Sequence, residues 1–240
     1  MRLKSKLNLF SKTTMINQII AMQKLIQASS LLSILSILIL AFSPSGSAES
    51  EQDALFEKIK KTTYNFRQVT PTLYRSGLIS KESVPYLKEL GIKTVLTFDN
   101  QPKRVAKEQQ FLKEAGIESI SIPWSGWDYP DDETIQKIHQ IMDLPERQPI
   151  LVHCKHGQER TGVVVATWRI SRQNWNVDQA YQEMKTCGFR SFQYGHLKKY
   201  IYNFANAHGN QNAKMNTLER IKTEVLSFFY RLRKLNPAYQ

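Results

Sequence analysis

The chain has 240 residues, 41% of them hydrophobic, with 33 basic and 21 acidic side chains and a formal net charge of +12. That apolar fraction excludes wholesale disorder, and the length allows one domain of ordinary size with extensions. Residues 1–48 hold five cations and no acid, and residues 213–240 hold six cations against two acids, which leaves +3 for residues 49–212. So mild a balance gives no argument for a nucleic-acid partner, and it suits a small anionic substrate.

The first element is a basic stretch holding Arg2, Lys4, Lys6, Lys12 and Lys24. The apolar run LLSILSILILAF at 31–42 and the small residues Gly46, Ser47 and Ala48 follow it. A basic start, a short greasy segment and a small-residue exit predict a secretory signal peptide over residues 1–48, with an uncleaved anchor as the alternative. The run falls short of the ~20 apolar residues that span a bilayer. Both readings export the remainder.

From about residue 60 the text alternates. FRQVTPTLYRSG predicts two short extended pieces around Pro71, and KESVPYLKEL a helix stopped by Gly91. IKTVLTFD (92–99) is a buried-type strand; KRVAKEQQFLKEA is a helix stopped by Gly116, and IESISIP (117–123) is again a strand. After the loop WSGWDYP a helix begins at Asp131 or Asp132, either of which can cap it, and runs to about Met142. PILVHC (149–154) is a short buried strand. The alternation predicts an α/β layer fold with a central, largely parallel sheet.

VVVATWRI (163–170) carries a conflict, because β-branched residues favour a strand whereas a strand-loop-helix placement needs a buried helix. The helix is expected, since the loop before it calls for one. Further helices are expected over 177–186 and 194–207. In the extension 211–240, Leu218, Ile221, Val225, Phe228, Phe229, Leu232 and Leu235 recur at helical spacing. That stripe predicts a helix packed on the domain, with a membrane-surface or partner helix as the alternative.

The chemistry concentrates in VHCKHGQERTG, residues 152–162. A nucleophilic cysteine works as a thiolate. Cys154 stands at the carboxyl end of a strand, where open α/β sheets bind ligands. The backbone from Lys155 through His156, Gly157, Gln158 and Glu159 can curl into a nest of inward N–H groups that holds an anion. A helix starting near Arg160 adds its positive end, and the Arg160 guanidinium can grip two oxygens of a phosphoryl group. Gly157 permits the turn.

These residues match H-C-x5-R-[ST], and the chain resembles the cysteine-based protein tyrosine phosphatases. Within them it is most similar to the dual-specificity subgroup and its bacterial periplasmic members, on HCKHGQERTG, PTLYRSGL (71–78) and RISRQNW (169–175). The resemblance spans about residues 65–205. It implies a single α/β domain over 49–210 with helices flanking the sheet, no metal or other cofactor, and a location in the periplasm. Cys154 is then expected to attack phosphorus, Arg160 and the loop amides to carry the equatorial oxygens, Thr161 to hydrogen-bond the sulfur, and His153 to brace the loop.

The leaving group needs a proton, and WSGWDYPDDE supplies acids. Asp128 matches the acid loop of the family best; Asp131 and Asp132 read as helix caps, and Asp99 reads as a turn residue or a lesser candidate. Trp124, Trp127 and Tyr129 are candidate pocket walls. Glu159 is expected to point outward. Cys187 reads as an inert buried thiol, with a reversible disulfide to Cys154 as the alternative. The expected substrate is a phosphorylated protein, phosphotyrosine above all, for a monomeric enzyme. Inositol phosphates are the alternative suggested by Lys155 and His156, and an inactive phosphate-binding module or a sulfurtransferase stands further off.

Overall fold

A computed structural model describes residues 45–208 and 215–234, with Met22 and Gln27 as isolated positions. The chain divides into two units, residues 1–52 and 53–240. Of the first, only those two positions and the opening turns of α1 (Ser45–Thr62) are described, so the predicted signal segment lies mostly outside the described residues. No helix among the described residues is long and apolar enough to cross a membrane.

The second unit follows the expected alternation. Strands β1 (Arg67–Thr70) and β2 (Leu73–Ser76) flank Pro71, then α2 (Val84–Glu89), β3 (Thr94–Thr97), α3 (Pro102–Glu114) and β4 (Glu118–Ser121) follow. Next come α4 (Asp132–Asp143), β5 (Ile150–His153), α5 (Arg160–Gln173), α6 (Val177–Thr186), α7 (Gly195–Ala207) and α8 (Thr217–Lys234). The sheet order is β1-β2-β5-β3-β4, with β1 antiparallel to β2 and every other pair parallel.

Successive residues of a strand face opposite sides of its sheet, and this alternation builds the two cores. Leu73, Leu96 and Val152 face a core shared with α4 to α7, while Tyr74, Val95 and Leu151 face Leu55, Ile59, Leu87 and Leu112. The conflict at 163–170 resolves as helix. Val163, Val164 and Val165 are fully buried, each contributing roughly 1.5–3 kcal/mol by burial, which exceeds a helix-propensity penalty of about 0.7 kcal/mol or less.

The tail departs from its first reading. Helix α8 does pack on the domain, but through Thr223 and Ser227, which are buried, while Leu218, Ile221, Val225, Phe228, Phe229 and Leu232 are exposed. Small polar residues permit close approach there: a Cβ added at Gly195 would meet Ser227 Oγ at 2.5 Å and the Thr223 carbonyl oxygen at 2.8 Å. Leu235 lies outside the described residues.

Candidate active site

The carboxyl ends of β3, β4 and β5 converge on a cavity of about 320 Å³. Cys154, Lys155, His156, Glu159 and Arg160 form one wall; Asn100, Gln101 and Arg104 another; Ser125, Gly126, Trp127 and Tyr194 close it. Cys154 is 1% exposed, directly after β5.

The loop 154–159 is held from outside. Leu78 N–H donates to the Lys155 carbonyl at 3.2 Å. Asn65 Nδ2 donates to the carbonyls of His156 (3.4 Å) and Gly157 (3.1 Å), and Arg75 Nη2 to that of Gly157 at 2.8 Å. In a planar trans peptide the N–H points opposite to the C=O. Pinning these three carbonyls outward therefore turns the N–H groups of His156, Gly157 and Gln158 inward, which is the geometry of an anion nest. Gly157 has φ +67°, and a Cβ there would lie 2.4 Å from the Ser76 carbonyl oxygen, so only glycine fits. Helix α5 then starts at Arg160, with Gly162 N–H bonded to the Gln158 carbonyl at 3.1 Å.

Arg160 is pre-set before any ligand arrives. Its Nη1 donates to the carbonyls of Phe98 (2.6 Å) and Trp124 (3.1 Å) and to Asn100 Oδ1 (3.2 Å). Its Nε and Nη2 make no hydrogen bond among the described residues; only Asp99 Oδ1 approaches Nη2, at 3.9 Å. One edge of the fork is fixed, and the other faces no hydrogen-bond acceptor among the described residues.

Asp99 is a structural anion here. Arg104 grips it through Nε (2.7 Å) and Nη2 (2.9 Å). Burial alone would raise its carboxyl, but the Arg104 bonds and the charges of Arg104 and Arg160 outweigh this and hold it below the usual range. It stays ionised and has no proton to give. His153 is fully buried and donates from Nε2 to Glu108 at 2.9 Å, tying the loop to α3. Burial pushes the His156 imidazole down; Glu159 opposes this, and Lys155, Arg190 and Arg160 reinforce it.

Several expected residues stand elsewhere. Asp128 is exposed at the rim, its N–H bonded to the Ser125 carbonyl at 3.1 Å, and it is not among the residues lining the cavity. Asp131 caps α4, accepting from Thr134 N–H at 2.6 Å, whereas Asp132 accepts from Tyr200 Oη at 2.7 Å instead of capping. Thr161 Oγ1 is buried with no hydrogen-bond partner among the described residues. Glu159 does not point outward: it is buried and accepts from Arg190 Nε at 2.9 Å. Gln158 turns to Tyr64 Oη at 3.2 Å. Of the three aromatics, Trp127 lines the cavity and stacks on Tyr194 at 4.7 Å; Trp124 packs against the core, and Tyr129 borders a second cavity. Cys154 and Cys187 are both free and buried.

Sequence reasoning missed Asn65, Arg75, Arg104, Arg190 and Tyr194. Only Arg75 left a trace, as a cation in the middle of the strand LYRS.

The signature of the tyrosine phosphatase family matches residues 62–223, from α1 into α8. The dual specificity protein phosphatase TpbA of Pseudomonas aeruginosa (strain UCBPP-PA14) is 35% identical over 125 residues, 52% of this chain and 55% of that protein. The inositol diphosphatase DSP5 of Arabidopsis thaliana is 30% identical over 129 residues, 51% of this chain and 61% of that one. The chain thus spans only a little over half the length of these relatives. The solved catalytic core of the PP-IP phosphatase SIW14 from Saccharomyces cerevisiae superposes with a TM-score of 0.51 at 25% identity, covering 68% of this chain and 93% of that one.

Proposed function

The chain belongs to the tyrosine phosphatase family, and on that premise we propose that it hydrolyses phosphotyrosine monoesters, with phosphoserine and phosphothreonine as further substrates, through a phosphocysteine intermediate. The observation that carries this reading is the buried Cys154 beneath inward amides, beside an Arg160 whose Nη1 is already fixed by three acceptors. The sulfur lone pair attacks phosphorus and the ester P–O bond breaks, its electron pair leaving with the alkoxide or phenoxide, which takes a proton from Asp128. Water then attacks the phosphocysteine, giving its proton to Asp128, and the P–S bond breaks to release phosphate and the thiolate. Arg160 and the amides of His156, Gly157 and Gln158 hold the phosphoryl oxygens through both steps. The orphan Thr161 hydroxyl supports its role as the donor that steadies the departing sulfur.

Cys154→Ser is expected to abolish release of phosphate from para-nitrophenyl phosphate and phosphotyrosine peptides. Asp128→Ala should lower kcat by about 10²–10⁴-fold on phosphoserine peptides, and less on para-nitrophenyl phosphate, whose leaving group needs no proton. Unchanged phosphoserine turnover in Asp128→Ala would reassign the acid.

A second reading is favoured by Lys155, His156 and Arg104 lining the same cavity as Arg160, a surplus of basic side chains suited to multiply charged inositol phosphates. The names of DSP5 and SIW14 point the same way. Comparing kcat/KM on a phosphotyrosine peptide and an inositol polyphosphate decides between them. For location we propose that residues 1–48 direct export to the periplasm, with 49–210 as a monomeric catalytic domain and 211–240 as a helical extension. N-terminal sequencing of the periplasmic protein should begin near Glu49.

A further inference from the structure

We propose that the outer face of α8 docks the protein on an anionic phospholipid surface. At about 100° per residue, Leu218, Ile221, Val225, Phe228, Phe229 and Leu232 fall within an arc of roughly 100°. All six are exposed, between 46% and 78%. The opposite face cannot take them, because it is already committed: Thr223 and Ser227 are buried against the start of α7.

Charge selects the occupant. The helix holds five cations, Arg220, Lys222, Arg231, Arg233 and Lys234, and two acids, Glu219 and Glu224. Both acids are taken by α7, Glu219 by Lys198 and Glu224 by Lys199. Arg220 and Lys222 are exposed and form no ion pair among the described residues. With five cations against two acids, and both acids drawn to α7, the helix carries net positive charge beside its apolar arc, the composition of an interfacial helix on anionic lipid. A second copy fits poorly. Two such helices, each about 27 Å long, would set cation against cation. They would also bury little surface for a stable dimer. The inference rests on α8 alone and not on the chemistry at Cys154.

The test is flotation of the full chain with vesicles of phosphatidylcholine, with and without about one third phosphatidylglycerol. Wild type is expected to bind the anionic vesicles at least about tenfold more tightly than the neutral ones. Ile221→Ser/Phe228→Ser/Phe229→Ser and, separately, Arg220→Glu/Lys222→Glu should each weaken that binding about tenfold, with unchanged thermal midpoints. Equal binding by the triple variant would overturn the proposal and leave the apolar run 31–42 as the anchor. Equal affinity for neutral vesicles, or a wild-type dimer that the triple variant dissolves while neither binds lipid, would also overturn it.

Discussion

Asn65 and Arg75 show how a catalytic loop is shaped by residues that never meet the substrate. Asn65, at φ +56°, spends its side-chain amide on the carbonyls of His156, Gly157 and Cys187. Asn65→Ala therefore leaves carbonyls unpaired and places alanine in a left-handed conformation, an expected loss of about 1–3 kcal/mol by urea unfolding together with reduced kcat. Arg75 has the opposite balance. It is 1% exposed, Nη2 reaches Gly157, and Nε and Nη1 have no hydrogen-bond partner among the described residues. Burial draws its guanidinium down from the ordinary value, with Cys187, Glu183 and Cys154 opposing. A buried charge so poorly paired stabilises little, so Arg75→Met should leave the urea midpoint unchanged or raised. It should still lower kcat about tenfold, one 1.4 kcal/mol step in barrier, by freeing the Gly157 carbonyl. Full kcat in Arg75→Met would show that Asn65 alone shapes the loop.

Among the elements, α4 and α5 are joined by a histidine that carries a pH dependence. His139 Nε2 lies 3.1 Å from Thr167 Oγ1 and 3.3 Å from the Val164 carbonyl oxygen. Burial lowers its pKa to about 4, the Val164 bond opposing. Its ordinary value is about 6.5, so between pH 6.5 and 4 the unfolded chain binds the extra proton. The contribution of this site is whole above pH 6.5 and lost on the way down to pH 4, at about 1.4 kcal/mol per pH unit. Urea midpoints at pH 7 and pH 5 should show a drop in wild type that His139→Gln reduces; equal drops would remove His139 as the cause. Much at this scale was legible beforehand. The helix-glycine-strand alternation, the boundaries of α6 and the backbone turn from Cys154 to Arg160 are local patterns and fold as read, whereas the Glu159 side chain within that turn does not. The braces were not, because Asn65 meets its loop partners across more than 90 residues. Tyr194, likewise, lines the cavity and stacks on Trp127 across more than 60 residues of chain, a contact that no local pattern announces. Periodicity along α8 gave its hydrophobic stripe but not its orientation, which Gly195, Thr223 and Ser227 decide by close packing.

For the whole molecule, the open question is whether α8 is an appendage or part of the domain. It lies in the same compact unit as the sheet, and the family signature runs into it as far as residue 223. Lys198 gives the physical reason. Its side chain is only 4% exposed, and Glu219 is its carboxylate partner, with the rings of Tyr181 and Tyr202 beneath the ammonium. Removing residues 211–240 leaves this cation without its carboxylate and uncovers Gly195. Breaking a buried pair costs about 3–5 kcal/mol, but Glu219 is half exposed, so about 1–3 kcal/mol is expected. The consequence should reach the site through α7. His196, next to Gly195, lies with Nε2 3.1 Å from the Gly126 carbonyl oxygen, and Tyr194 stacks on Trp127, so the start of α7 holds the loop that carries Asp128. A chain ending at residue 210 should therefore unfold at lower urea and lose kcat several-fold on phosphoserine peptides. The loss should be smaller on para-nitrophenyl phosphate, whose leaving group needs no proton, although water attack on the phosphocysteine still gives its proton to Asp128. Lys198→Met in the truncated chain should restore part of the stability without restoring kcat, because it removes the stranded charge but not the slack in the loop. A truncated chain as stable and as active as the full one would make α8 an appendage after all.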